Sequence, residues 1–464
     1  MRRSLIPAIV VACSTVLAAC AASAPDPAPD ADAAMLRRLY DAALTESPAY
    51  GHLGELVTRF PGRLSGSRNL EGAVQWAKGV LEKQGVDRLE LQPVMVPHWE
   101  RGAPERVNLL RAGGPVTTLT ATALGGSVPT PAGGLKAEVI ELPSLEAVNT
   151  ADVTGKIVFF NGPMDPKAII PGDAYGDAYD QRTKGPAEAA RRGAIGVLTR
   201  SLTHALNDVP HTGATRYADD APRIPAAALS TLAANRLSAA LKEDPKLQVE
   251  FTINSKWFPD AQSYNVIGEI RGAEHPEKVI VVGGHLDSWD ITPGAHDDGT
   301  GVVQSIEVLR LLQAAGYKPR HTVRCVLFTS EENSVNGGKE YARVAIEKKE
   351  EHLLALETDT GGFQPRRFQL GNKAGDAHVR AARWLKLFEP YNLAFMEAGE
   401  GGADVGPLLE KGGWPVGEML PDSQLYFDYH HTTIDTLDKV NPREMQLGAA
   451  ALAALVYLVD QHGL

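Results

Sequence analysis

The sequence predicts an α/β protein built on a largely parallel sheet covered by helices on both faces. Three observations carry this. In the C-terminal half, compact apolar runs rich in β-branched residues alternate with helix-length stretches, the pattern of strands buried on both faces. Those runs end in loops dense in His, Asp and Glu, where sheets of this kind take ligands. Between about residues 125 and 256 the rhythm gives way to short strands and frequent turn signals without such clusters. That block reads as a domain inserted into the first, and a chain of 464 residues has room for two to four domains.

Taken in order, residues 1–19 read as an export signal. Arg2 and Arg3 precede a mostly apolar run over 5–19, shorter than the roughly 20 residues of a membrane-spanning helix. Leu17-Ala18-Ala19-Cys20 resembles a bacterial lipoprotein cleavage site, which would leave Cys20 as the lipidated first residue. The alternative is an ordinary cleaved signal that contains a cysteine. Ala21, where an Asp would signal retention at the inner membrane, points to the outer one. Residues 20–34 are Ala, Pro, Asp and Ser around and after that cysteine, a flexible tether with no capacity to form a core. Residues 35–124 form the first part of the main domain, with a helix over 69–84 that stops before Gly85 and a strand over 89–96. In the inserted block, 136–142, 155–160 and 194–198 read as strands, 186–192 as a helix, and a helix-like stretch runs to 241. Residues 257–464 complete the main domain: strands at 278–283, 322–328 and 353–356, and a helix over 301–315.

Composition narrows the function. Asp plus Glu outnumber Lys plus Arg by 57 to 46, a net charge of −11, which argues against a general nucleic-acid binder. Three cysteines build neither a disulfide scaffold nor a Cys-rich zinc module. Cys325 sits in an apolar strand, where an inert buried thiol is expected. No Gly-x-Ser-x-Gly elbow, phosphate-cradling loop or dinucleotide fingerprint is present.

The chemistry lies in five clusters. Gly284-His285-Leu286-Asp287 follows the first C-terminal strand, and Asp297-Asp298-Gly299-Thr300-Gly301 comes twelve residues beyond His285. Thr329-Ser330-Glu331-Glu332 and Glu357-Thr358-Asp359 close the next two strands, and His430-His431-Thr432-Thr433-Ile434-Asp435-Thr436 lies near the C-terminus. Singly these read as surface pairs, turns or helix caps. Together, largely at strand ends, they read as a metal site. Imidazole plus carboxylate without thiolate suits zinc in a catalytic site.

On these residues, with Arg63-Leu64-Ser65-Gly66-Ser67 and Pro97-His98-Trp99-Glu100-Arg101-Gly102, the sequence resembles the co-catalytic two-zinc exopeptidases that include the bacterial leucyl aminopeptidases, and among them the carboxypeptidase Q branch. The resemblance implies a three-layer α/β/α catalytic domain with a mixed, largely parallel sheet. The 125–256 block would be a protease-associated, β-rich α+β domain that covers the cleft or mediates pairing. It also implies roles. His285 and Asp359 would bind one zinc, Glu332 and His431 the other, and Asp297 both; His430, the competing choice for His431, would face substrate. Asp287 would accept the free ring N–H of His285 and fix its tautomer. Glu331 would be general base toward a metal-bridging water, and His296 would stand behind the ligands or face substrate. Asp404, in Gly399-Glu400-Gly401-Gly402-Ala403-Asp404, is the candidate for the substrate's amine, with a helix N-cap as the alternative. Tyr426-Phe427-Asp428-Tyr429 would add aromatic surface, with a core role open for Phe427.

The expected activity is hydrolysis of dipeptides or short peptides by an exported, lipid-anchored or secreted enzyme, with peptide as its partner, a homodimer implied by the resemblance, and contact with a membrane only through Cys20. Two rivals share the fold: a one-zinc glutaminyl cyclase and a non-catalytic receptor-type binding protein. The complete five-ligand set argues against both.

Overall fold

The computed structural model describes residues 27–464 apart from residue 112. The export signal and Cys20 lie outside the described residues. The chain folds around two eight-stranded mixed sheets. The first runs, edge to edge, Arg88–Glu100, Lys256–Ile270, His321–Phe328, His275–His285, Glu351–Glu357, Val416–Pro421, Pro365–Gly371 and Phe395–Ala398. Its four central strands, from His321–Phe328 to Val416–Pro421, are parallel to one another. The strands toward either edge introduce antiparallel pairing. The mixed, largely parallel sheet expected from the sequence is therefore present. Its central strands are apolar because helices cover them: Thr300–Ala314, Pro442–His462 and Pro27–Glu46 pack together in one core with them.

The helix over 69–84 is Arg68–Gln84 in the structure. The Ser67 hydroxyl accepts from the Leu70 amide at its start, and Gly85 closes it with φ 77°, a conformation glycine adopts without a Cβ clash.

Two expectations fail here. Helix Pro27–Glu46 takes in residues 27–34, which composition assigned to the tether. Tertiary contacts hold that start: Asp32 is buried, accepts from the Tyr457 hydroxyl at 2.8 Å and faces His462 Nε2 at 2.9 Å. The second correction concerns the second sheet, which runs Thr117–Leu119, Arg106–Leu110, Gln248–Thr252, Leu135–Leu142, Ile157–Phe160, Gly196–Arg200, Ala226–Leu229 and Ala121–Ala123. It begins at Arg106, so the boundary placed at 125 falls inside it. The strands ahead of that boundary, Arg106–Leu110, Thr117–Leu119 and Ala121–Ala123, have three to five residues with polar ones among them and carry too little apolar signal to be found by periodicity. The chain leaves the first sheet at Glu100 and re-enters at Lys256, and these two residues are paired partners. The whole second sheet is thus inserted between two neighbouring, hydrogen-bonded strands.

Candidate metal centre

The parallel register sets the site. His285, the last residue of its strand, pairs with Phe328, and Gly283 pairs with Glu357. The segments carrying Glu331, Glu332 and Asp359 therefore emerge beside His285 at one end of the sheet. The Asp298 carboxylate ties the 297–301 turn to this end by accepting from the His285 amide at 2.9 Å and the Gly301 amide at 3.0 Å. Position 301 requires glycine because a Cβ there would lie 2.0 Å from the Thr358 carbonyl oxygen. Arg63, fully buried, donates to the carbonyls of Leu286, Pro293 and Gly294 at 2.6–2.9 Å and so binds the 286–294 loop into one piece. Asp435 accepts from the amides of His296 and Asp297 at 2.8 and 3.1 Å, aiming Asp297 inward.

The five expected ligands converge. His285 Nε2 lies 3.2 Å from Asp297 Oδ1 and 3.2 Å from Asp359 Oδ1. His431 Nε2 lies 3.3 Å from Asp297 Oδ2 and 3.1 Å from Glu332 Oε2. One carboxylate thus presents an oxygen to each of two clusters. These approaches are not hydrogen bonds. His285 Nε2 and Asp359 Oδ1 in one cluster and Asp297 Oδ2 in the other are buried and have no hydrogen-bond partner. Orphaned donor atoms of this kind, imidazole nitrogen and carboxylate oxygen, fit zinc.

Electrostatics point the same way. Burial, reinforced by neighbouring carboxylates, pushes Glu332, Asp298 and Asp404 well above the ordinary carboxylate range and raises Asp359. Glu331 and Glu418 rise to about 8, again chiefly by burial. Asp297 is held low: burial opposes its charge, but His285, His430 and Arg63 outweigh it. So many buried carboxylates in mutual repulsion are relieved by nearby dications.

A profile of Peptidase family M28 matches residues 265–456. The chain is also 34% identical to human carboxypeptidase Q over 418 residues, 89% of this chain and 85% of that protein. The chain belongs to peptidase family M28. It is, accordingly, a metallo-exopeptidase. A solved peptidase M28 precursor from Shewanella amazonensis superposes with a TM-score of 0.88 at 33% identity, covering 93% of this chain and 97% of that one. A zinc aminopeptidase from Bacillus subtilis, at 20% identity and a TM-score of 0.62 over 88% and 94% of the two chains, shares the fold.

Other expected site residues of this M28 peptidase stand differently from their predicted roles. The ring N–H side of His285 faces the Asp287 backbone carbonyl at 3.1 Å, with the Asp287 carboxylate at 3.7 Å. That carboxylate instead accepts from the amides of Glu331 and Glu332 at 3.1 and 3.3 Å. Asp287 therefore positions Glu331 and Glu332, while its main chain orients His285. Glu332 is fixed from the other side by the Trp289 amide on its Oε1 at 3.1 Å. His296, beside Asp297 and sharing Asp435 with it, is fully buried behind the ligands and is not on the cavity wall: its ring is stacked on Phe363 at 4.3 Å and its Nδ1 accepts from the Gly362 amide at 3.1 Å.

A cavity of about 310 Å³ opens over the centre. Glu331, Glu332, Asp297, Asp359, His430 and His431 line it, with Tyr426 and Phe427. His430 stacks on His431 at 3.5 Å, but its Nε2 is 3.8 Å from Asp297 Oδ2 and it has no Glu332 contact comparable to that of His431. Asp404 does not reach the cavity. It is fully buried behind Gly402 and Ala403, which do line it, and neither of its carboxylate oxygens has a hydrogen-bond partner. Its amide and that of Val405 donate to Glu357 Oε2 at 3.0 and 2.8 Å. Glu418, within strand Val416–Pro421, is the carboxylate that lines the cavity on this side.

Sequence reasoning allowed the inserted unit to cover the cleft but named none of the residues it contributes. Tyr175, Tyr179, Arg182 and Arg216 line the same cavity. The Thr212 carbonyl faces His431 Nδ1 at 3.3 Å, and the Thr212 amide donates to the His431 carbonyl at 3.1 Å. His431 has φ 62°, a left-handed conformation a histidine adopts only when its surroundings hold it. Arg101 pins the two units together, donating to both Asp290 oxygens at 2.7 and 2.6 Å, to the Ala123 carbonyl at 2.6 Å and to Thr212 Oγ1 at 3.3 Å. Arg101 lies in one of the motifs singled out above, which was the available signal for this joint.

Proposed function

We propose that the chain is a zinc-dependent exopeptidase that hydrolyses dipeptides or short peptides with a free amino terminus, using two zinc ions and Glu331 as general base. The observation that carries this reading is Asp297, whose Oδ1 faces the His285–Asp359 pair and whose Oδ2 faces the His431–Glu332 pair at 3.2–3.3 Å. His285 and Asp359 would hold one ion, Glu332 and His431 the other, and Asp297 both. Bound zinc would supply Lewis acidity and lower the pKa of water toward ~7. Glu331, on the cavity wall with its amide fixed by Asp287, takes a proton from the attacking water and delivers it to the departing amine. Glu418 faces the same cavity and is the carboxylate placed to meet the substrate's amino group. Tyr426, Phe427 and His430 exclude water beside the scissile bond.

Two measurements test the reading. Zinc-reconstituted protein should hydrolyse dipeptides and lose that activity when the amino end is blocked. Glu331→Gln should lower kcat by roughly 10²–10⁴-fold, the usual contribution of a general base. Undiminished hydrolysis by that variant would remove Glu331 from the mechanism, and a stoichiometry of one ion per chain would favour the cyclase.

Location forms part of the proposal. Residues 1–20 support export and lipidation at Cys20. No helix among the described residues is long and apolar enough to cross a membrane. Labelled fatty acid should be incorporated by the wild-type precursor and not by Cys20→Ala.

A further inference from the structure

The segment Arg63-Leu64-Ser65-Gly66-Ser67 sets three polar side chains at alternate positions, and each meets a different partner. Arg63 binds the carbonyls of the 286–294 loop. Ser67 accepts from the Leu70 amide and caps helix Arg68–Gln84. Ser65 is buried and does neither. Its Oγ donates to the Pro97 carbonyl at 2.8 Å and accepts from Asn333 Nδ2 at 2.8 Å. Pro97 stands where the strand register shifts between Val96 and His98, and a bulge of this kind leaves a residue unpaired in the ladder. Gly66, with φ 81°, sets the approach: a Cβ there would lie 2.7 Å from the His98 ring. Asn333 carries the contact onward, because its Oδ1 accepts from the Ser330 hydroxyl at 2.9 Å. Ser330 is fully buried with φ 64°, a left-handed conformation that a serine keeps only when its neighbours hold it. The donors run in one direction, from Ser330 to Asn333 to Ser65 to Pro97, and a satisfied network of this kind rigidifies what it joins. Glu331 and Glu332 lie between its first two members.

We infer that Ser65 is a positioning residue for Glu331: through Asn333 and Ser330 it fixes the 330–333 turn against the first sheet. This rests on the exopeptidase reading above, in which Glu331 moves the proton. The turn is then held from two sides. Asp287 takes the amides of Glu331 and Glu332, and Ser65 takes the flank through the Asn333 side chain. A general base works only within hydrogen-bond reach of the proton it takes, and a displacement of about 1 Å can cost roughly 10²-fold in rate. Glu332 has separate support, since the Trp289 amide donates to its Oε1. A lesion at Ser65 therefore falls on the base and spares the metal ligand beside it.

The test compares Ser65→Ala with Ser67→Ala, the same change two positions on in a residue that only caps a helix. Ser65→Ala should lower kcat for dipeptides by about 10- to 100-fold, with KM and bound zinc within about 2-fold of wild type. Ser67→Ala should lower the melting temperature and leave kcat at the wild-type value. Asn333→Ala cuts the same relay from its half-buried end and guards against a fold defect in Ser65→Ala. The double variant Ser65→Ala/Asn333→Ala should be no slower than the slower of the two single variants, because residues of one network do not act additively. A further readout needs no turnover: in the metal-free protein, amide hydrogen exchange over residues 329–336 should rise roughly 5- to 10-fold in Ser65→Ala and stay unchanged in Ser67→Ala. A folded Ser65→Ala with wild-type kcat, equal losses of kcat in the two serine variants, or additive losses in the double variant overturns the positioning role and leaves the exopeptidase reading standing. Faster exchange confined to Ser65→Ala, in a protein whose zinc-loaded wild type cleaves no dipeptide, supports the hold of Ser65 on the turn and sinks the exopeptidase reading.

Discussion

The two halves of the metal centre are built by different means. On the His285 side every orienting group is local to the first sheet. The ring faces the carbonyl of Asp287, two residues away, its amide is held by Asp298, and its strand is locked into parallel register. On the His431 side the ring faces the carbonyl of Thr212, a residue of the inserted unit 219 positions earlier in the chain. Asp297 is the one group common to both. One half is therefore preorganised by strand pairing, which is as stable as the core. The other depends on how firmly two units dock. Outer contacts of this kind are worth 10- to 100-fold in metal affinity or activity, so the docking surface is part of the metal site.

The comparison breaks most completely at its shared point. Asp297→Ala should take hydrolysis to background and bring bound zinc below one ion per chain by mass spectrometry of metals; retention of one tightly held ion would show that the halves are independent. Next comes the joint. Arg101→Met leaves Asp290 and Glu105 without their cation, which should cost about 3 kcal/mol in thermal unfolding. It should also weaken one of two zinc sites by roughly 10- to 100-fold while sparing the other; equal weakening of both would dissolve the distinction drawn here. Asp287→Ala is the matching lesion on the strand side. By freeing the amides of Glu331 and Glu332 it should lower kcat by about 10- to 100-fold, with little change in the docking of the inserted unit as read by limited proteolysis. Smallest of the four, Thr212→Val removes only the hydroxyl that donates to the Ala123 carbonyl and accepts from Arg101. It should cost about 1 kcal/mol of stability and barely move zinc affinity, because the carbonyl that faces His431 is main chain.

That last case shows where sequence stops. Asp297, Glu331, Glu332 and Asp359 were legible because each follows an apolar strand or opens a helix, and parallel strands bring their ends together whatever the rest of the chain does. Residue type and spacing carry such information directly. Asp404 was read as an amine contact from the family resemblance of its Gly-rich loop, and nothing in its neighbours reveals that Gly402 and Ala403, not Asp404, line the cavity. Residues 27–34 look like a tether because local composition cannot register the hydroxyl of Tyr457 and the ring of His462 waiting at the other end of the chain.

The sequence by itself determined the largely parallel sheet and the clustering of metal-ligand residue types at its strand ends, since hydrophobic periodicity and residue type are local properties; which of those residues would be ligands and which the base came with the family resemblance. Only the tertiary structure decided that Thr212 orients His431 and that Tyr175 and Arg182 of the inserted unit line the cavity. The first acts through a backbone carbonyl that any residue could supply. The second depends on how the inserted unit docks on the first sheet, which no local pattern in the sequence records.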